Sequence, residues 1–147
     1  MRRQPDDGLR SLFHKHLPHP RDLQDIEVGM RDRGVPDLNG CIEGVEFWIE
    51  MKATGGWTVD LKPAQIGWLV TRARHGGRVF IAVRRRNTAG PRKRLGVDEL
   101  WLLDGSYARE LRAFGLRKAP RPAVLGTWSG GPRAWDWDAV RCLLVTA

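Results

Sequence analysis

Cysteine is scarce in this chain of 147 residues. Cys41 and Cys142 are the two present, and they lie far apart. That rules out a dense disulfide framework, gives no closely spaced pair for a zinc site, and suits a reducing compartment. No apolar run is long enough to cross a bilayer. No hydrophobic segment follows Met-Arg-Arg-Gln-Pro-Asp-Asp at the start, so no secretory signal is expected and a cytoplasmic location is. There is no internal repeat. Acidic residues are in deficit, 17 against 25 Lys and Arg, which leaves a formal charge of +8. Such an excess favours a polyanionic partner, with nucleic acid the leading candidate, although a solvated basic surface gives the same composition. The length suits one domain with one sizeable core.

Hydrophobic periodicity and chain breakers give a coarse order of elements. Leu9, Leu12, Phe13 and Leu17 recur at helical spacing and predict a helix over 5–16, stopped by Pro18 and Pro20. Residues 22–30 lead toward a first strand over 36–42 and a second over 45–52, which Thr54-Gly55-Gly56 ends. Pro63 suits the first turn of a helix over 63–75 that closes at Gly76-Gly77. The apolar run Val79-Phe80-Ile81-Ala82-Val83 marks a strand over 78–84. Strand, helix, strand in that order predicts a parallel crossover. An arginine-rich loop over 84–94 follows, then a strand over 99–103, a helix over 107–114, a strand over 124–128 and a terminal helix from about 136. The expected fold is α/β, a mixed β-sheet flanked by helices. Its core covers about 5–104, with a peripheral C-terminal extension over 105–147.

The most informative stretch is Gly-Val-Pro-Asp-Leu-Asn-Gly at 34–40 with Phe-Trp-Ile-Glu-Met-Lys at 47–52. If Glu43-Gly44 is a two-residue turn, counting outward pairs Ile42 with Val45, Gly40 with Phe47 and Leu38 with Ile49 on an apolar face. The other face then pairs Cys41 with Glu46, Asn39 with Trp48, and Asp37 with Glu50. Directly opposed carboxylates repel, and a divalent cation between them reverses that sign. Mg²⁺ prefers hard oxygen ligands and keeps waters, so two carboxylates plus a substrate phosphate suit it. Mn²⁺ is expected to substitute. The Met51 carbonyl is a further ligand candidate. Lys52, on the same face as Glu50, is placed to orient or help deprotonate an attacking water, or to neutralise charge on phosphorus. Taken singly, Glu-x-Lys and Pro-Asp are common in exposed strands and turns; it is their combination in register that carries the inference.

These residues resemble the PD-(D/E)xK nuclease superfamily, which has a restriction-endonuclease-like fold. The chain looks most like its virus-type replication-repair nucleases, small domains often carried by phages and similar to Holliday junction resolvases. The resemblance covers about 9–86. It implies a hydrolase, a Mg²⁺-dependent DNA endonuclease, in which Asp37 matches the motif aspartate, Glu50 the second acid and Lys52 the catalytic lysine. Gln65 matches a glutamine that these nucleases often carry at the start of the next helix; an ordinary solvated helix residue is the other reading. An upstream acid is also implied, with Glu27 and Asp25 as the two candidates. The implied partner is DNA, branched structures included, and the implied assembly is a homodimer, in a bacterial host cytoplasm if the chain is phage-encoded. No membrane and no small-molecule cofactor is implied.

For DNA contact the candidates are Lys62 beside Gln65 and the basic cluster Arg84, Arg85, Arg86, Arg92, Lys93 and Arg94, whose bland reading is a solvated hairpin tip. Trp48 shares the face of Glu50 and either walls the site or packs beneath the N-terminal helix. Trp57 can stack on a base or pack its own loop. His14, His16 and His19 have the wrong spacing for ligands on one helix face. Two other readings compete: a non-catalytic DNA-binding module that retains the fold, and an interaction protein whose aromatic C-terminal extension docks on a partner.

Overall fold

A computed structural model describes residues 6–27, 34–87 and 96–146. The strands are β1 (Asp22–Asp25), β2 (Leu38–Ile42), β3 (Val45–Thr54), β4 (Val79–Asn87), β5 (Val97–Asp104) and β6 (Val124–Trp128). The helices are α1 (Leu9–His16), α2 (Pro63–Arg74), α3 (Ala108–Phe114) and α4 (Trp137–Val145). The six strands form one mixed sheet in sequence order. All neighbours are antiparallel except β3 and β4, which α2 connects in parallel.

The β2–β3 hairpin has the register that alternation predicts, from Ile42 opposite Val45 to Leu38 opposite Ile49. Its turn has positive φ at both Glu43 (50°) and Gly44 (81°), the pattern of a two-residue primed turn that matches strand twist. With the period fixed at two, the hairpin sends Leu38, Ile42, Phe47, Ile49 and Met51 to one face, where α1 and α4 cover them. The other face carries Ile81, Val83 and Leu103 beneath Leu69 and Val70 of α2 and Leu111 of α3. Trp48 packs on Trp68 of α2, with ring centroids 5.1 Å apart. It therefore lies under α2, on the face opposite the N-terminal helix.

Four expectations need correction. Residues 22–25 form an edge strand paired with β2; its sequence Asp-Leu-Gln-Asp is too polar to show alternation, because one flank and most of one face are open to water. Helix α1 begins at Leu9, after Gly8 at φ 76°, and the Asp6 carboxylate accepts from the Gly8 and Arg10 N–H groups. Strand β4 continues through Arg84, Arg85 and Arg86 to Asn87, because acidic partners on β5 and beside α1 receive these arginines. The C-terminal segment is not peripheral: β6 completes the sheet, and Trp137, Val140 and Leu144 of α4 are buried against Phe13 and Leu9 of α1. The Phe13 and Trp137 rings meet edge to face at 5.2 Å. Each buried side chain of this size contributes roughly 1.5–3 kcal/mol, and a whole domain is stable by only about 5–15 kcal/mol. Deleting residues 137–147 is therefore expected to abolish the cooperative unfolding transition in calorimetry.

Candidate active site

Asp37 stands one residue before β2, where the Ile26 N–H donates to its carbonyl (2.9 Å) and extends the β1–β2 ladder. Its carboxylate accepts from the Met51 N–H at 2.9 Å, which ties it across to β3. A residue in an extended strand points its N–H and C=O to the same side, so the Met51 carbonyl faces the Asp37 side as well. The Met51 side chain is buried in the opposite core, so only its backbone belongs to the site. Gly34 brings this segment over the start of α2. Its φ is 94°, and a Cβ there would stand 2.2 Å from the Ala64 carbonyl oxygen.

Glu50 is 2% exposed. Gln65 Nε2 donates to its Oε1 at 3.2 Å, and Lys52 Nζ lies 3.9 Å from the same oxygen. Lys52 donates to Gln65 Oε1 at 2.9 Å. That oxygen also accepts from the Lys62 N–H at 2.9 Å. Gln65 is the third residue of α2, the position from which a side chain reaches back to an otherwise unsatisfied donor at the helix start. One capping interaction thus fixes Gln65, and Gln65 fixes both Lys52 and Glu50.

The electrostatics centre on Glu50. Burial, then the charge of Asp37 and proton sharing with its carboxyl, raise the Glu50 pKa to about 9, against the opposing pull of Lys52. As an anion, Glu50 leaves its buried Oε2 with no donor; as a neutral acid it can pass that proton toward Asp37. A buried acceptor without a donor is costly, and a cation satisfies it. The residues present fit a divalent metal on this ground: two converging carboxylates, one with an unsatisfied oxygen, and a backbone carbonyl at the same edge. Among the described residues no group of three or more His, Cys, Asp or Glu side chains is arranged to hold a metal. The remaining ligands would have to be backbone, amide or water oxygens.

Asp37, Glu50, Lys52 and Gln65 line one cavity of about 490 Å³. Its walls include three residues that sequence reasoning missed: Asp6 and Arg10 at the start of α1, and Asp60 before α2. Arg10 sits beside the apolar stripe of its helix, and nothing in the sequence says which sheet edge that flank meets. Its Nε lies 3.7 Å from Asp25, which also pairs with His14 at 2.7 Å. Asp25 is thereby engaged on α1. Glu27 is exposed and is not among the cavity-lining residues, so neither candidate for the upstream acid stands in the cavity itself.

The arginines of β4 are not a free basic patch. Arg84 is 7% exposed and grips Asp98 through Nε (2.9 Å) and a terminal nitrogen (2.8 Å). Arg85 pairs with Glu99 at 2.7 Å and covers the Trp57 ring at 3.7 Å from its centroid. Arg86 pairs with Asp7 at 2.9 Å. Acidic residues distant in sequence neutralise what reads along the chain as a cationic run. Arg92, Lys93 and Arg94 lie outside the described residues. Lys62 is exposed on the cavity wall. His14 pairs with Asp25, and His16 stacks on Trp137 with ring centroids 5.3 Å apart. No protein-family model matches the chain, and no curated protein matches it either.

Proposed function

We propose that this protein is a metal-dependent DNA endonuclease of the PD-(D/E)xK type, with a restriction-endonuclease-like core. The observation that carries the reading is the pairing of half-buried Asp37 with buried Glu50, whose Oε2 lacks a donor, held beside a lysine that a glutamine fixes. A structural ion pair would match carboxylate with cation and leave no acceptor unsatisfied; this site opposes two acids, which only a shared proton or a cation reconciles. Mg²⁺ or Mn²⁺ would be held by Asp37, Glu50 and the Met51 carbonyl, where it supplies a polarised phosphoryl oxygen and an acidified water.

The chain's own groups do the rest. Gln65 holds Lys52 Nζ at the cavity wall, so Lys52 meets an attacking water or the charge that builds on the phosphorus without reorganising. Arg10 and Lys62 flank the cavity from α1 and from the start of α2, placed to take the phosphates on either side of the scissile bond. Small enzymes of this kind pair two sites on one substrate, and a homodimer is part of the proposal.

The test is cleavage of a panel of linear, nicked, flapped and four-way DNAs in Mg²⁺, Mn²⁺ or chelator. Cleavage is expected only with metal, and Asp37→Ala is expected to abolish it while DNA binding survives. Turnover in chelator equal to that in Mg²⁺ defeats the reading. Binding across the whole panel with no cleavage under any metal identifies a non-catalytic DNA-binding module instead.

A further inference from the structure

The catalytic cavity does not end at Gln65. A second cavity of about 720 Å³ shares Asp37, Lys62 and Gln65 with it. A third, of about 920 Å³, shares Ala64 with the second and continues past Gly67 and Thr71 to Arg72 and His75. Through these shared residues the three cavities line up as a trough along α2. Among the described residues its third section has no acidic lining residue. Neither Lys62 nor Arg72, one cation toward each end, pairs with a carboxylate among the described residues.

Arg72 is held in an unusual way. Its guanidinium lies 4.5 Å from the Trp68 ring centroid and 5.6 Å from that of Trp48. Indole faces fix the plane of a guanidinium and attract its charge without neutralising it, so the donors that do not face the rings stay available to an anion. Gly67, midway along, shows that the trough is not filled from within. Apart from its chain neighbours and its own helix backbone, a Cβ there would meet no atom of the described residues within 4 Å, although a helix-interior glycine costs about 0.8–1 kcal/mol against alanine.

We propose that this trough is the track of one DNA strand leaving the catalytic cavity, with Arg72 holding a phosphate beyond the scissile one. Gln65 and Arg72 are seven positions apart, about 10 Å along the axis at 1.5 Å each, so the phosphate that Arg72 holds lies outside the catalytic cavity. The inference rests on the nuclease reading for its origin at the scissile bond, and it names the part of the substrate that the enzyme grips outside the cavity.

Two variants test it, Arg72→Ala and Gly67→Leu. The readouts are steady-state cleavage of DNA extending six or more nucleotides on both sides of the cut, and binding of a fluorescent single-stranded oligonucleotide in chelator across a salt series. Arg72→Ala is expected to raise KM about 5- to 10-fold, with the loss in KM rather than kcat, and to lower the slope of log K against log salt by about one. Arg72→Lys is expected to restore the slope but only part of the affinity, because an ammonium keeps the charge and loses the planar seat. Gly67→Leu puts bulk into the trough and adds helix propensity, so KM is expected to rise at least 10-fold while Tm holds or increases. Unchanged KM and salt slope in both variants overturn the proposal. So does a change of oligomeric state in Gly67→Leu with KM unaltered, which would make this face a contact between copies. If the wild-type protein cleaves nothing, the chelator binding series still decides: a weakened, flatter salt dependence in Arg72→Ala keeps the track and discards the nuclease, and no change discards both.

Discussion

Replacing Glu50 with glutamine is expected to abolish cleavage and, in metal-free buffer, to make the protein more stable. The two effects have one cause. Unfolded, Glu50 titrates near 4.5; in the fold its pKa is about 9. Between those values the folded chain holds a proton that the unfolded chain has released, so stability falls as pH rises and levels off above about 9. Glutamine carries no such proton. It keeps an oxygen for Gln65 Nε2 and presents an amide donor where Glu50 has an unsatisfied acceptor. Near pH 5 the variant and wild type should melt together. By pH 8–9 the variant should lead by roughly 1–4 kcal/mol, the range seen when a buried charge gives way to a neutral isostere, or about 2–4 °C per kcal/mol for a chain of this size. Added Mg²⁺ should raise the wild-type Tm and leave that of Glu50→Gln in place. Because a metal bound by Glu50 would displace its proton, the Mg²⁺-induced shift should grow with pH up to about 9. A wild-type Tm that does not depend on pH between 5 and 9 would refute this account of the site.

The second large effect is expected at Lys52. Lys52→Met keeps most of the length of the side chain, ending one atom short, and removes the charge and the hydrogen bond to Gln65. With metal and substrate still held, kcat should fall about 10²–10⁴-fold, the usual worth of a positioned acid–base or charge-stabilising group, while oligonucleotide binding in chelator changes by less than threefold. Lys52→Arg should not rescue, because a planar fork cannot take the seat of one ammonium on Gln65 Oε1 beside Glu50. A loss confined to KM, with kcat preserved, would show that Lys52 binds DNA and takes no part in the chemistry.

The β2–β3 hairpin was legible residue by residue. Two interleaved alternations and a Glu-Gly turn leave one register that buries Leu38, Phe47 and Ile49, and that register brings Asp37 to the Glu50 side without any knowledge of the rest of the chain. The helix over Pro63–Arg74 was legible through its first-turn proline and its closing glycines. The arginines of β4 were not. Three in a row look like a loop bound for a polyanion until Asp7, Asp98 and Glu99, all remote in sequence, take up their charges. Strand β1 escaped notice because an edge strand of four mostly polar residues carries almost no period.

Sequence by itself determined the elements whose information is local. Period-two and helical patterns, chain breakers and a short hairpin involve neighbours within one or two turns, so composition and spacing specify them. Tertiary structure alone decided which charges remain available. Whether Arg84 meets DNA or Asp98, whether Arg10 reaches the cavity, and whether α4 is an appendage or half of a core depend on residues brought together by sheet order. Coulombic partners and apolar neighbours act through space, and the distance between them is set only when the whole chain closes around two layers of core.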